Sequence, residues 1–318
     1  MKKIALIGAV LLLSIGAGLF ARGGGDERLR FATGGTAGTY YPLGTAIGQV
    51  VGEDTGIQVT VQSTGASRAN IQLIDAGEVE LALVQNDVMD YAWRGVDLFQ
   101  GETTRTFNAI AGLYPEQLQV VAVAGSGITS IADLRGRNVS VGDAGSGTEF
   151  NARQTLQAYG ISFNDINVQN LGFGPSADAL RDGRIDAFFC VAGTPTAAII
   201  DLATSRDILI VPIDGSHAGQ IMRDYPFYTQ YTIPAGTYRG QTSPVTTLAI
   251  KATLVVATSV PEDVVYRFTR SLFVNQPRVA SAHARGADIN RNDAVQGMGS
   301  VPFHPGAARY FREIGAIR

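Results

Sequence analysis

The sequence predicts an α/β fold of two lobes, in which strands and helices alternate along the chain. Short apolar or alternating runs typical of strands are followed by stretches whose apolar residues have helical spacing. Turns rich in Gly, Ser and Thr join strand to helix at several places. The chain has 318 residues, enough for two domains of ordinary size. This alternation favours two mixed, mostly parallel sheets flanked by helices.

The first strand–turn–helix unit shows the pattern most clearly. Residues 29–32 form a strand-like run, and the turn TGGTAGTYYP follows at residues 33–42. Leu43 and Ile47 then begin an apolar stripe with the period of one helix face. Pro42 suits the first helical position, where a missing N–H costs nothing. Such a turn points free N–H groups and the positive end of a helix at one place, which suits an anion.

The later elements repeat this alternation in two blocks. The strands predicted for the first block are residues 57–62, 81–84, 107–113 and 118–124. The strands predicted for the second block, which begins near residue 125, are residues 138–142, 166–170, 185–191 and 207–213. Residues 236–244 are rich in Gly, Thr and Pro and predict a return linker before a strand at residues 245–258. The segments that open helices are residues 63–67, 85–87, 145–148, Pro175, Pro195, Pro261 and Pro305.

The two blocks and the N-terminus divide the chain into domains. We expect lobe 1 to comprise residues 28–124 and 241–318, and lobe 2 to comprise residues 125–240. Lys2 and Lys3 precede an apolar run that ends near Ala21, a pattern typical of an export signal. Residues 1–21 are therefore expected to be a signal peptide, with an uncleaved anchor as the alternative, and the protein is expected to be periplasmic.

Several functional classes are disfavoured by composition. The formal net charge is -3 and there is no basic run interleaved with aromatics, so no nucleic-acid partner is expected. There is no nucleophile elbow and no phosphate-binding loop, and His217, His283 and His304 lie far apart. We therefore expect no metal and no cofactor. Cys190 is the only cysteine and is expected to be a small core residue.

The glycine-containing turns are the candidate site. Each alone is explained by a loop between a strand and a helix, whereas together they favour one shared anion site. The turns are residues 33–41, 63–67, 145–148 and 193–195. Arg68 and Arg153 are either carboxylate clamps or solvated arginines, and Glu149 either stabilises a helix N-terminus or meets a ligand ammonium. The aromatic residues that would wall a cleft, or else belong to the core, are Tyr40, Tyr41, Phe227, Tyr228 and Tyr231.

With these residues in view, the chain resembles the TAXI family, the extracytoplasmic solute receptors of TRAP-type transporters. The resemblance lies in FATGGTAGTYYPLG at residues 31–44, STGAS at residues 63–67, DLRG through VGDAGSGT at residues 133–148, and PFHPGA at residues 302–307. It implies a type II periplasmic-binding-protein fold whose hinge has two crossings, and ligands that are small organic anions such as glutamate-like amino acids or 2-oxo and dicarboxylic acids.

The resemblance also implies a set of binding residues. It places the site at Thr36, Tyr40, Ser67, Ser146 and Thr148, and extends to Gln85, Asn86 and Thr194. With the residues weighed above, the candidate ligand-binding set is Thr36, Tyr40, Tyr41, Ser67, Gln85, Asn86, Ser146, Gly147, Thr148, Glu149, Thr194 and Tyr231.

The expected function is therefore a receptor that delivers a small organic anion to TRAP membrane subunits, and not an enzyme. Two alternatives stay open at this point. The first is a periplasmic sensor that presents its ligand to a membrane kinase, and the second is an exported enzyme on the same fold. The enzyme is disfavoured because the sequence offers no nucleophile–base pair or metal-ligand set.

Overall fold

A computed structural model describes residues 27–213 and 215–318 of the chain. The predicted signal peptide, residues 1–21, lies outside the described residues. The described strands are β1 (Arg28–Ala32), β2 (Gln58–Gln62), β3 (Leu81–Gln85), β4 (Phe107–Val123), β5 (Asn138–Ser140), β6 (Asn167–Gln169), β7 (Ala187–Ala192), β8 (Ile208–Val211), β9 (Thr229–Ile233) and β10 (Val245–Ala257). The described α-helices are α1 (Tyr40–Thr55), α2 (Ser67–Asp75), α3 (Asn86–Arg94), α4 (Gly147–Ala158), α5 (Phe173–Arg181), α6 (Ala197–Ser205), α7 (Gly215–Asp224), α8 (Glu262–Val274), α9 (Gln276–Ala282) and α10 (Pro305–Glu313).

The described strands form one sheet, so the α/β class is confirmed but the expected separation into two sheets is not observed. Their order is β2-β1-β3-β10-β4-β7-β5-β6, with β8 added to β4 and β9 added to β10. Pairing is parallel within β2-β1-β3 and within β6-β5-β7, as the alternation predicts. The long strands β4 and β10 pair antiparallel with each other and join these two parallel groups.

Strand β4 corrects the prediction of separate strands at residues 107–113 and 118–124. Pro115 has no N–H to donate, and Glu116 and Gln117 are polar, so the sequence here resembles a break between strands. In the structure the strand continues: Pro115 stands opposite Lys251 of β10, and Glu116 and Gln117 are buried. The register of the two strands shifts between Ala252 and Thr253, where a β-bulge absorbs the irregularity.

Separate apolar cores stabilise the two parts of the sheet. The first core includes β1, β3, α1, α8 and α10, and it reaches Tyr114 of β4. Two further clusters cover opposite faces of the other part, because neighbouring residues of a strand point to opposite sides: Val120 belongs to one cluster and Val121 to the other. We call the part built on the first core lobe 1 and the part built on the other two clusters lobe 2. The residue boundaries given for these lobes above stay a prediction.

Helix α1 forms where its apolar spacing predicts. Leu43 and Ile47 are fully buried in the first core, and the helix ends at Gly56, which adopts the left-handed conformation with φ 77°. The helix begins at Tyr40 rather than at Pro42. Pro42 nevertheless lies in the first turn, where an N–H has no partner within the helix in any case.

Other helix starts also differ from the prediction. Within the predicted segment 145–148, Thr148 is the expected cap of α4, but the cap is Ser146, because its side-chain oxygen accepts from the backbone N–H of Glu149 and Thr148 lies inside the helix. The peptide bond between Thr194 and Pro195 is cis, and α6 begins only at Ala197. Cys190 is fully buried in β7, as expected. The short elements α7, β9 and α9 were not predicted, although Ala218 and Ile221 of α7 are buried at the spacing of one helix face. No helix among the described residues is both long and apolar enough to cross a bilayer.

Candidate functional site

A cavity lies between the two lobes, at the ends of the strands where the predicted turns begin; its empty space, counted together with the solvent at its mouth, is about 510 Å³. The described residues that line the cavity come from the β1–α1 and β2–α2 turns, β3, β4, the turns before α4 and α5, and the end of β7. They are Gly34, Gly35, Gly38, Thr39, Tyr40, Ala66, Ser67, Gln85, Glu116, Asp143, Ser146, Gly147, Thr148, Phe173, Val191 and Ala192.

Helices α1, α2 and α4 all begin at this cavity. Their first residues, Tyr40, Ser67 and Gly147, line it. Neither α1 nor α2 has a side-chain cap, so no capping side chain accepts a hydrogen bond from their first N–H groups. In α4 the Ser146 side chain accepts from the N–H of Glu149 at 3.2 Å, and the earlier N–H groups are left for other partners. Helix N-termini from both lobes thus provide hydrogen-bond donors and positive potential at one place.

The turn before α2 has an unusual backbone conformation at the cavity wall. Ala66 has φ 64° and ψ -147°, a region that residues other than glycine rarely adopt. The conformation is held by the side chain of Thr64, whose Oγ1 accepts from the Ala66 N–H at 3.2 Å and contacts the buried Asn70. Asn70 in turn donates to the carbonyl groups of Thr33 and Leu83 at 2.6 and 2.7 Å. A buried polar network therefore fixes the position of the α2 N-terminus.

Gln85 of lobe 1 and Gly147 of lobe 2 meet across the cavity. Gln85 is 3% exposed, and its Oε1 atom is buried without a hydrogen-bond partner. A Cβ atom added to Gly147 would lie 1.7 Å from that oxygen. With Gln85 in this position, the approach of the two lobes therefore requires glycine at position 147. The oxygen lacks a partner, which is uncommon for a buried acceptor.

Glu116 is the most deeply buried carboxyl group of the cavity lining, and it is absent from the predicted binding set. It is 2% exposed, and the Tyr40 hydroxyl donates to its Oε2 at 2.8 Å. Burial raises the pKa of Glu116 well above its ordinary value, although the hydrogen bond from Tyr40 acts in the opposite direction. Burial also raises the pKa of Asp143, the second carboxyl group of the lining. The signal that was available is the polar pair Glu116-Gln117 inside an otherwise apolar stretch, since buried polar residues are the informative exceptions.

Half of the predicted binding residues line the cavity. They are Tyr40, Ser67, Gln85, Ser146, Gly147 and Thr148. Of the others, Thr36 is exposed on the first turn, Tyr41 is half-buried on α1, and Tyr231 is half-buried on β9 against a lobe 2 cluster. These three side chains are not among the lining residues.

The remaining predicted residues have partners within the protein. Asn86 donates to the carbonyl of Gly297 and accepts from the N–H of Lys251, both at 3.1 Å. The N–H of Thr194 donates to Gln117 Oε1 at 2.9 Å, so the fourth turn does not direct this group into the cavity. Glu149 accepts from the N–H of Gly145 at 2.6 Å, so it has a hydrogen-bond partner within the protein.

The candidate arginine clamps also lie outside the lining. Arg153 pairs with Glu149 at 3.4 Å, and its guanidinium lies 4.0 Å from the centre of the Phe163 ring. Arg68 packs beside Gly145, and its guanidinium lies 5.5 Å from the centre of the Phe99 ring. Among the described residues of the lining there is no Lys, Arg or His. Within the described part of the chain, no group of three or more His, Cys, Asp or Glu residues could hold a metal ion.

Beside the cavity, a second polar network joins the lobes. Asn151 of α4 donates to Asp87 Oδ2 of α3 at 3.0 Å and to the Tyr228 hydroxyl at 2.6 Å. Tyr228 in turn donates to Gln154 Oε1 at 2.6 Å. Asp87 is fully buried, and this burial raises its pKa to about 7, against smaller opposing contributions from its hydrogen bonds. The contact between α3 and α4 therefore depends on a titratable group.

Comparison with known proteins identifies relatives of this fold. A family model described as the NMT1-like family matches residues 31–315. The chain is similar to a structure described as a periplasmic transporter, with 15% identity, a TM-score of 0.56, and coverage of 91% of this chain and 93% of that one. It is similar to the alkanesulfonate-binding protein SsuA from Xanthomonas axonopodis pv. citri bound to MOPS, with 14% identity, a TM-score of 0.50, and coverage of 90% and 83%.

A third similar structure is the GluR0 ligand-binding core from Nostoc punctiforme in complex with L-glutamate. Its identity to this chain is 16%, the TM-score is 0.50, and the coverage is 82% of this chain and 99% of that one. The neighbouring structures are type II periplasmic binding proteins, so the predicted fold class is confirmed. At these identities the likeness concerns the fold alone.

Proposed function

The chain belongs to the NMT1-like family, and from this premise we propose that it is an extracytoplasmic solute-binding receptor. It captures a small organic anion between its lobes and delivers it to the membrane subunits of a TRAP-type transporter. The observation that carries the proposal is the convergence of the α1, α2 and α4 N-termini, drawn from both lobes, on one cavity. The transport role is supported by the periplasmic binding proteins among the structural neighbours, and the TRAP class by the resemblance of its motifs to TAXI receptors.

The energies suffice for useful affinity without a basic side chain. A helix N-terminus stabilises an anion by about 0.3–1 kcal/mol when exposed and up to about 2 kcal/mol when partly buried. Hydrogen bonds to a charged group contribute about 1.5–3 kcal/mol each. A few of each, less the cost of association, reach the roughly 8 kcal/mol that corresponds to micromolar binding.

The cavity favours binding over catalysis. The serine hydroxyls that line it are engaged as acceptors: Ser67 Oγ accepts from the N–H of Gln85 at 3.1 Å, and Ser146 Oγ accepts from the N–H of Glu149 at 3.2 Å. No histidine stands beside either of them in the described lining. A serine nucleophile requires such a base. We therefore propose a receptor that releases its ligand unchanged.

Calorimetric titration tests the binding proposal. The full chain is expressed, recovered from the periplasmic fraction, freed of endogenous ligand by partial unfolding and refolding, and titrated with L-glutamate, L-alanine, 2-oxoglutarate and succinate. We expect at least one to bind at micromolar concentration and to raise the unfolding temperature. Absence of binding by every carboxylate would refute the proposal.

A transport assay tests the choice of partner. Proteoliposomes that contain TRAP membrane subunits should accumulate the bound compound only when the receptor and an ion gradient are both present. Recovery of the ligand after incubation, chemically intact, separates the receptor from an exported enzyme. Stimulation of a membrane kinase without uptake would instead favour the sensor.

A further inference from the structure

The cavity contains acceptors for a cation as well as donors for an anion. The donors are the N–H groups at the starts of α1, α2 and α4. The acceptors are the Glu116 carboxyl group and Gln85 Oε1, which is buried with no partner. A buried acceptor without a partner is costly unless a ligand or water supplies one. The two kinds of group together fit a molecule that carries both charges.

The donors and acceptors are adjacent. Tyr40 is the first residue of α1, and its own hydroxyl group donates to Glu116 at 2.8 Å. Gln85 Oε1 lies against Gly147, the first residue of α4. Each acceptor is thus next to a helix N-terminus. An α-amino acid carries its carboxylate and its ammonium group on the same carbon, so it needs donors and acceptors that are neighbours.

The lining is a poor site for a second negative charge. Its titratable side chains with a carboxyl group are Glu116 and Asp143, and none of its described residues is basic. Like charges that share a site raise one another's free energy. The other side of the cavity is apolar, with Phe173, Val191 and Ala192. The side chain of the ligand therefore faces carbon atoms and carboxyl groups rather than a cation.

We propose that Glu116, supported by Gln85, binds the ammonium group of the ligand, so that the site selects α-amino acids with uncharged side chains over 2-oxo acids and dicarboxylic acids. This inference rests on the proposed receptor function and names its ligand class. Glu116 is a specificity-determining residue in this scheme. The ligand carboxylate occupies the helix N-termini and the ammonium group occupies the acceptors.

The scheme links binding to proton release. Burial raises the pKa of Glu116, and a bound ammonium group lowers it again, because an opposite charge favours the ionised carboxylate. Binding of an amino acid therefore releases a proton and becomes tighter as pH rises. Binding of an oxo acid requires a neutral Glu116 and becomes weaker as pH rises. The titratable groups that interact with Glu116 or share its cavity are Tyr40, Asp87, Tyr114, Asp143 and Cys190.

Matched pairs of ligands test the selectivity. The full chain is titrated calorimetrically with L-alanine against pyruvate, L-leucine against 4-methyl-2-oxopentanoate, and L-glutamate against 2-oxoglutarate. Each pair shares one carbon skeleton and differs in the amino group. We expect the uncharged amino acids to bind best and to release a proton, measured by repeating the titration in buffers of different ionisation enthalpy.

Two isosteric variants separate the carboxyl groups. Glu116→Gln should weaken the binding of the preferred amino acid by roughly 10- to 150-fold, the range for loss of a hydrogen bond to a charged group. It should also abolish proton release, while oxo-acid binding is kept and shows that the variant is folded. Asp143→Asn removes the other carboxyl group of the lining, so it should weaken the exclusion of dicarboxylic acids but leave the preference for L-alanine over pyruvate in place.

The outcomes distinguish this inference from the proposed function. If no carboxylate binds, the receptor proposal itself fails. If an oxo acid or a dicarboxylate binds as tightly as the matched amino acid, the receptor stands and the inference is overturned. The inference is also overturned if Asp143→Asn, and not Glu116→Gln, removes the preference.

Discussion

The contact between Gln85 and Gly147 gives a direct test of lobe closure. A Cβ atom at position 147 would lie 1.7 Å from Gln85 Oε1, 2.3 Å from Cδ and 2.9 Å from Nε2. Gly147→Ala therefore cannot be accommodated unless Gln85 moves or the lobes separate. The atoms that would be struck are the end of the Gln85 side chain, so the cost is smallest if this side chain rotates into the cavity that it lines and largest if it stays in place.

The expected magnitude follows from the cost of overpacking a buried site, which is typically about 1–3 kcal/mol. This penalty falls on the closed form, in which the two residues meet. The penalty does not apply to an open form in which they are apart. Because the ligand binds the closed form, Gly147→Ala should weaken binding by about 5- to 150-fold. Stability without ligand should change less than affinity does.

A double-mutant cycle isolates the contact. Gln85→Ala alone removes any contribution of the Gln85 side chain to the affinity for the ligand. It also removes the side-chain atoms that a methyl group at position 147 would strike. The double variant Gly147→Ala/Gln85→Ala should therefore bind no worse than Gln85→Ala alone, with a coupling energy of about 1–3 kcal/mol. Gly219→Ala is the control, because its nearest neighbour is the flexible end of Arg223 at 3.4 Å.

The assay is calorimetry for affinity and small-angle scattering for closure. Wild-type protein should become more compact when saturated with ligand, and Gly147→Ala should need far more ligand to do so. The reasoning would be refuted by a Gly147→Ala variant with wild-type affinity. It would equally fail if the two substitutions had strictly additive effects, because their side chains would then not meet in the bound state.

Two further predictions concern stability. Ala66→Gly should stabilise the protein by roughly 1 kcal/mol, measured by urea unfolding. Relief of the strained backbone is worth about 1–3 kcal/mol, which exceeds the entropic cost of the more flexible unfolded chain. A destabilised variant would show that Ala66 is not strained. The pKa of Asp87 rises from 3.8 unfolded to about 7 folded, so the folded state binds this proton more tightly and stability should fall by up to about 4 kcal/mol as pH rises from 4 to 8. Asp87→Asn should flatten that fall, and an unchanged pH profile of chemical unfolding would contradict the assignment.

Much of the fold was predictable because it rests on local patterns. The apolar stripe of α1 and the alternation of β1, α1, β2 and α2 depend on residues near one another in the chain. The joining of the two parallel groups of strands into one sheet was not predictable in the same way. Pro115 and the polar residues after it indicate a chain break locally, whereas pairing with distant Lys251 keeps β4 continuous. Only the tertiary contact decides between these outcomes.

The candidate site was predictable where backbone geometry defines it. Glycine turns before helices indicate N-termini, and Ser67, Ser146 and Gly147 do line the cavity. Side-chain roles were harder to predict. Glu149 and Asn86 are as polar as Gln85, but each finds partners within the protein. Which polar side chain remains unpaired depends on what the fold brings next to it, and this information is not local.

The exceptions to ordinary folding preferences gather at one place. Ala66 holds a backbone conformation suited to glycine, Gln85 keeps a buried oxygen without a partner, and Glu116 is a carboxyl group removed from water. Each costs stability, and each lines the same cavity. Scattered costs would suggest independent accidents of packing, whereas costs that share one cavity imply a common cause. A bound molecule that satisfies the oxygen and the carboxyl group supplies that cause, because it stabilises only the folded, closed form.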